Sequence, residues 1–272
     1  MIYNKDNPLR VFEAFGGYGS QSLALKRLKR DFPDFDYKVV GYSDIEPAAI
    51  KAYMALHDGE EIVNYGDITK IDWSQVPDFD LFTYSFPCQD ISSAGKQRGF
   101  SKGVDTRSGL LWYCELAIEA KHPRYLLMEN VAALVHSKFV NDYFMWLETL
   151  ERIGYENFTK VLNSKDYGVP QNRERTFCVG ILREVEQPKF NWPSPFKLEL
   201  RLKDVLEDEV DERYYLSDER IQNLLAENNN EESEEVVVEG RLNSSQDGVV
   251  VNPNGISKCH TAGNRNCPKI VQ

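Results

Sequence analysis

The chain is poor in cysteine, and the five it has do not group. Cys88, Cys114, Cys178, Cys259 and Cys267 contain no CxxC pair, and the four histidines do not cluster with them, although His260 adjoins Cys259. Neither a disulfide scaffold nor a structural zinc site is therefore expected, and no metal. No apolar run reaches the roughly 18 residues that a membrane-crossing helix needs. The opening stretch MIYNKDNPLR has no apolar core of a secretion signal, so the cytoplasm is the expected compartment. No internal repeat is found, which excludes solenoids and propellers. Positive charge is also short, with 32 Lys and Arg against 43 Asp and Glu and a net charge of −11. That balance at first argues against a nucleic-acid partner. Its distribution weakens the argument. Residues 201–240 hold 14 Asp and Glu against 4 Lys and Arg, whereas residues 1–200 hold 28 against 24 and residues 241–272 hold 1 against 4. One acidic segment carries most of the imbalance.

What is present alternates between strand and helix patterns. Residues 9–15 (LRVFEAF) read as a short apolar strand running into a glycine turn, Gly16-Gly17-Tyr18-Gly19, before SLALKRLKR with leucines near helical spacing. Tyr37–Ser43 reads as the next strand, ending at Asp44, and Pro47 then stands where a helix would begin. FDLFTY (79–84) is a third strand, leading into Ser85-Phe86-Pro87-Cys88-Gln89. Residues 89–109, with four glycines, read as a long surface loop. Helices are expected over 110–120 and 139–153, and strands at YLLM (125–128) and FCVGIL (177–182). The order implies an α/β domain over 1–192, built on a mainly parallel sheet with helices on both faces. From 193 to 272 the texture changes to an acidic linker followed by short strands and turns.

Several residues in this frame could carry chemistry. Glycines after the first strand let the backbone approach a ligand closely, although a plain tight turn accounts for them equally. The dinucleotide pattern GxGxxG is absent, because position 22 is Ser22. Asp44, 25 residues past Gly19, and Asp67 in Gly66-Asp67-Ile68 are strand-end acids. Singly each reads as a turn or cap residue. Jointly they point to one crevice at the carboxyl ends of the strands, suited to an adenosyl group. Cys88 follows a proline at a strand end and precedes polar residues, the placing of a nucleophile. Cys114 and Cys178, in apolar patterns, read as packing residues. Glu129 ends an apolar strand, where a carboxylate must be hydrogen-bonded or have a raised pKa. In Gln171-Asn172-Arg173-Glu174-Arg175 an extended chain puts Gln171, Arg173 and Arg175 on one side. They would offer donors to a carbonyl or phosphate, or form a charged edge strand.

Together these motifs resemble those of the cytosine-5 DNA methyltransferases of bacteria and phages, in family order over residues 9–182. The resemblance rests on FxGxG at Phe15–Gly19, Asp44, Gly66-Asp67-Ile68, Pro87-Cys88-Gln89, Glu129-Asn130-Val131 and QxRxR at 171–175. It implies S-adenosylmethionine as methyl donor, bound by Phe15, Gly17, Gly19, Asp44 and Asp67, with Ile45, Ile68, Pro87 and Leu110 lining the pocket. It implies a cytosine flipped from duplex DNA, Cys88 attacking its C6, Glu129 at N3, and Arg175 at O2 with Arg173 in support. Gln89, Ser92, Lys96 and Arg98 would lie near the DNA.

The resemblance also has departures. Family members continue through a target-recognition region to two further motifs, the last with a GN[SA] turn, and neither is found here. KCHTAGNRNCPKIVQ (258–272) instead resembles the middle of a recognition region. Three readings follow beside an active DNA enzyme: a truncated, inactive remnant, one subunit completed by a second polypeptide, and a tRNA cytosine-5 methyltransferase. A nicotinamide dehydrogenase is disfavoured by the missing GxGxxG and by Pro87-Cys88-Gln89.

Overall fold

The computed structural model describes residues 2–57, 62–91, 98–103, 106–136, 138–184, 189–212, 215, 217, 219, 236, 238–241, 249–259 and 269–270. These fall into two compact units. The first comprises residues 1–161 and 175–192, and the second 162–174 and 193–272.

The first unit is built on a six-stranded sheet. In chain order its strands are β1 (Leu9–Ala14), β2 (Tyr37–Ser43), β3 (Leu81–Tyr84), β4 (Tyr125–Val131), β5 (Tyr155–Asn163) and β7 (Glu174–Leu182), with β6 (Gln171–Asn172) lying between β5 and β7 in sequence. The spatial order is β2-β1-β3-β4-β7-β5. β1 to β4 pair in parallel, and β7 runs antiparallel to β4. The helices are α1 (Ser20–Asp31), α2 (Pro47–Leu56), α3 (Leu111–Lys121) and α4 (Val140–Ile153).

β1 shows why the sheet is covered on both sides. Its residues alternate between two apolar layers: Leu9 and Val11 pack with Val39 and Leu25, while Phe12 and Ala14 join the larger core around Phe82, Ile118 and Trp146. A strand buried on both faces reads as a continuous apolar run, and this is the pattern of a parallel sheet with helices on each side. Pro47 stands at the first turn of α2, where its missing N–H leaves no helix bond unmade.

The start of β1 is fixed by an ion pair. Asp80 accepts from the Arg10 backbone N–H at 3.0 Å and from its guanidinium at 2.9 Å on both oxygens. Burial alone would raise the Asp80 carboxyl, but the hydrogen bonds and charge of Arg10 outweigh it and hold it below the usual carboxylate range. A carboxyl lowered in this way stabilises the fold above its unfolded pKa and loses that contribution as pH falls through the folded value. Asp80→Asn is therefore expected to cost about 1 kcal/mol at neutral pH. In denaturant titrations the gap to the wild type should close as pH drops below the carboxylate range.

Two sequence expectations need correction here. Residues 155–163 carry a strand, β5, that no sequence pattern announced. The described residues of the 89–109 stretch do not all face solvent as a surface loop would: Asp90, Ile91, Gly99, Phe100, Thr106 and Ser108 are buried, and Ser108–Leu110 form a turn of 3-10 helix leading into α3. The polar groups there are satisfied internally. Asp90 accepts from Arg98 Nε at 2.8 Å and the Arg107 N–H at 3.0 Å, and Trp112 Nε1 donates to the Phe100 carbonyl at 2.6 Å.

The second unit carries short strands. β6 pairs in parallel with β10 (Ser257–Lys258), and β9 (Val249–Val251) lies between β8 (Val238–Arg241) and β11 (Lys269–Ile270). Leu202, Val236, Val249, Val251 and Ile256 form its small core.

Candidate active site

Register brings the site residues of the first unit to one edge of its sheet. Ala14 pairs with Ser43 and with Tyr84, and Tyr84 pairs with Met128. The next residues, Phe15, Asp44, Ser85 and Glu129, therefore stand level across four neighbouring parallel strands, the first three just past their strand ends and Glu129, contrary to the strand end expected for it, inside β4, which runs on to Val131 beside β7. This is the carboxyl edge, where ligands bind in open α/β sheets.

The turn after β1 needs its glycines for two different reasons. Phe15, Gly17 and Gly19 all have positive φ, of 55°, 59° and 79°. At Gly17 an added Cβ would meet nothing nearer than a carbonyl oxygen at 4.0 Å, so only the backbone conformation demands glycine. At Gly19 a Cβ would lie 2.2 Å from His57 Nε2 and 2.8 Å from Tyr53 Cε2. Gly19→Ala is accordingly expected to destabilise the chain by about 1–3 kcal/mol more than Gly17→Ala, since overpacking adds to the shared backbone cost. Parallel urea titrations of the two variants check the order.

Both strand-end acids are turn builders, as each read singly. Asp44 accepts from the Gly17 N–H at 2.8 Å and, on its other oxygen, from the Glu46 N–H at 2.8 Å. Asp67 caps the 3-10 turn Ile68–Lys70, accepting from the Thr69 N–H at 3.0 Å and the Thr69 hydroxyl at 2.8 Å. Those two bonds, with Lys70 adding less, hold its carboxyl below the usual range. Asn64, which sequence reasoning missed, ties the two turns together. Its Oδ1 accepts from the Asp44 and Gly66 N–H groups at 3.2 and 2.9 Å, and its Nδ2 donates to the Asp44 carbonyl at 3.0 Å.

These turns border open space. Gly66, with φ 69°, has nothing within 4 Å of a built Cβ. Ile45 is 70% exposed despite its apolar side chain, whereas Ile68 is buried in the main core. Pro87 and Leu110 are half-buried. Glycine backbone, two carboxylates and an uncovered isoleucine are groups whose chemistry suits an adenosyl group.

Beyond β3 the backbone of Phe86–Cys88 is held by three hydrogen bonds. Asn130 Nδ2 donates to the Phe86 carbonyl at 2.9 Å, Ser108 Oγ to the Pro87 carbonyl at 2.6 Å, and the Ile91 N–H to the Cys88 carbonyl at 3.0 Å. Gln21 Nε2, at the start of α1, donates to Ser85 Oγ at 3.0 Å and so links the glycine turn to this segment. Cys88 is half-buried, while Cys114 and Cys178 are fully enclosed and burial pushes both thiols up. Of the five cysteines, Cys267 lies outside the described residues.

Glu129 Oε1 pairs with Arg175 Nε at 3.2 Å. The antiparallel pairing of β4 with β7, Val131 opposite Arg175, sets this contact. Along 171–175 residues 171, 173 and 175 are half-buried and 172 and 174 exposed, the alternation expected of an extended chain. Arg173 belongs to the second unit, where its N–H donates to Asn163 Oδ1 at 3.0 Å and its Nη1 to Cys259 Sγ at 3.5 Å. Gln89 is exposed and accepts from Arg107 Nη1 at 2.7 Å. Arg98 is half-exposed and already paired to Asp90, while Ser92 and Lys96 lie outside the described residues.

Comparison with known proteins addresses the same features. The sequence profile of the C-5 cytosine-specific DNA methylases matches residues 9–269. The type II methyltransferase M2.ScrFI of Lactococcus lactis subsp. cremoris is 39% identical over 264 residues, covering 78% of this chain and 71% of that protein. The orphan methyltransferase M.Rho11sI of Bacillus phage rho11s is 34% identical, covering 86% of this chain and 51% of that protein. In fold the chain is similar to the Dnmt2 methyltransferase of S. pombe, with a TM-score of 0.66 at 22% identity, covering 96% of this chain and 74% of that one. Nothing in these matches supports a second polypeptide. With the profile spanning both units and the motifs standing at one sheet edge, the chain belongs to the C-5 cytosine-specific DNA methylase family, whose members transfer a methyl group from S-adenosylmethionine to cytosine in DNA.

Proposed function

We propose that this chain methylates C5 of a cytosine flipped out of duplex DNA, with Cys88 as covalent nucleophile. The observation that supports the reading most is the shared level of Phe15, Asp44, Ser85 and Glu129 across neighbouring strands.

When bound, S-adenosylmethionine supplies an electrophilic methyl group. Phe15, Gly17 and Gly19 would hold it through backbone, Asp44 would take the ribose hydroxyls and Asp67 the adenine amino group, and Ile45, Ile68, Pro87 and Leu110 would line the pocket. The Cys88 thiolate attacks C6 of the cytosine, which is unreachable inside the base stack. Glu129 protonates or hydrogen-bonds N3, so the ring accepts the electron pair. Arg175 grips the O2 carbonyl and, through its contact with Glu129, fixes the carboxyl's direction, with Arg173 supporting the site. C5 becomes nucleophilic and would take the methyl group, the donor's methyl–sulfur bond breaking to leave a neutral thioether. Loss of the C5 proton then returns the electrons that expel Cys88, and the thiolate is regenerated. Gln89, Ser92, Lys96 and Arg98 serve the DNA side in this reading, and residues 193–272 form an acidic linker and part of a target-recognition region.

Incubation with methyl-labelled donor and either duplex DNA or tRNA tests the substrate. Label in duplex DNA at cytosine C5 is expected, and label found only in tRNA overturns the proposal.

A further inference from the structure

A buried polar cluster lies under the glycine turn and takes no part in the chemistry above. Glu13 is fully buried on β1, on the face it shares with Leu9 and Val11. A carboxylate there is costly unless every oxygen is satisfied. Its Oε1 accepts from the Ser22 N–H at 2.9 Å, and its Oε2 from the Ser22 hydroxyl at 2.8 Å and the Tyr53 phenol at 2.6 Å. Burial first, and then the Glu13 charge, pushes the Tyr53 phenol well up, so it stays protonated and donates.

The cluster reaches the turn from below through aromatic rings. Tyr42 stacks on Tyr53 at 3.9 Å with 4° between planes, and Tyr53 on His57 at 4.3 Å. Gly16 rests on the first ring, with a built Cβ 3.1 Å from Tyr42 Cδ2. Gly19 rests on the other two. His57 Nε2 lies 3.4 Å from Ser22 Oγ. Because the Ser22 hydroxyl proton points to Glu13, the network assigns the proton on Nε2 to His57. α1 begins at Gly19, which has no side chain with which to cap it. Glu13 supplies that cap from a neighbouring strand, taking the N–H of the third helical residue and facing the positive end of the helix.

We infer that Glu13, Tyr53 and His57 are positioning residues for the methyl donor, holding Gly16–Gly19 in its donor-accepting shape from the side opposite the ligand. The inference rests on the donor reading of that turn. A side chain that merely capped α1 would affect stability alone. One that shapes the turn affects donor affinity, because the Gly17 N–H is aimed at Asp44 from the same turn.

The test is calorimetric titration of S-adenosylmethionine into the full chain, as wild type, Tyr53→Phe, Glu13→Gln and the double variant. Tyr53→Phe keeps the ring stack and removes only the hydroxyl, so it preserves the fold. Each single variant is expected to weaken donor binding roughly tenfold, and the double variant no more than the weaker single, because both break one contact. Turnover at saturating donor should hold while the donor KM rises. Variants that melt earlier but bind the donor like the wild type would overturn the inference and leave the donor reading intact. A wild-type chain that binds no donor would overturn both.

Discussion

Replacing Cys88 with serine is expected to lower methyl transfer to DNA by at least about 10⁴-fold while donor binding persists. The substitution changes one atom and leaves three backbone supports of the segment untouched. Asn130, Ser108 and the Ile91 N–H all hold main-chain carbonyls of Phe86, Pro87 and Cys88, none of which depends on the sulfur. What changes is nucleophilicity: a thiol reaches its reactive thiolate within a few pH units of neutrality, whereas a serine hydroxyl needs a strong base beside it. A single-turnover assay with labelled donor measures the loss. A decrease under tenfold would show that the attacking group lies elsewhere.

Glu129→Gln should reduce the rate of the same step by about 10²–10⁴-fold. Glutamine keeps the shape of the side chain and can still offer a hydrogen bond, but it cannot transfer a proton to N3. The change also removes the negative charge from the 3.2 Å contact with Arg175, whose side chain is only 17% exposed. Leaving that guanidinium half-buried without its carboxylate should cost about 1–2 kcal/mol of stability. The two effects separate experimentally: thermal melting reports the second, and single-turnover rates at a temperature well below the transition report the first. Arg175→Ala should give a similar loss of stability. Rates within tenfold of wild type for Glu129→Gln would remove the carboxyl from proton transfer.

Much of the candidate site was legible in the sequence because it sits in short local motifs at or near strand ends. The glycine turn, Asp44, Pro87-Cys88-Gln89 and Glu129 each announce themselves within a few residues, and a parallel sheet with register Ala14–Tyr84–Met128 brings them to one level. The groups that hold them in place were not legible. Glu13 meets Tyr53 across 40 positions, and nothing in LRVFEAF separates a buried carboxylate from an exposed one. Asn64 reads as an ordinary polar loop residue until its bonds to Asp44 and Gly66 are seen. β5 escaped because only Tyr155 of its nine residues is buried, so YENFTKVLN shows neither an apolar run nor strict alternation. The 89–109 stretch misled in the opposite direction. Its glycines, serines and charges read as solvent-facing, yet Asp90 and Thr106 are buried by hydrogen-bonding the loop to itself. Composition cannot distinguish a polar group that faces water from one whose partners are supplied by the fold.

The most direct test of covalent catalysis is the mass, after denaturation, of the chain incubated with S-adenosylmethionine and duplexes carrying 5-fluorocytosine. Fluorine cannot leave as the C5 proton does, so the cycle should stop with the DNA, now methylated, bonded through C6 to Cys88. The expected result is a stable protein–DNA adduct in the wild type and none in Cys88→Ser. An adduct that survives that substitution, or one mapped to another residue, would contradict the account.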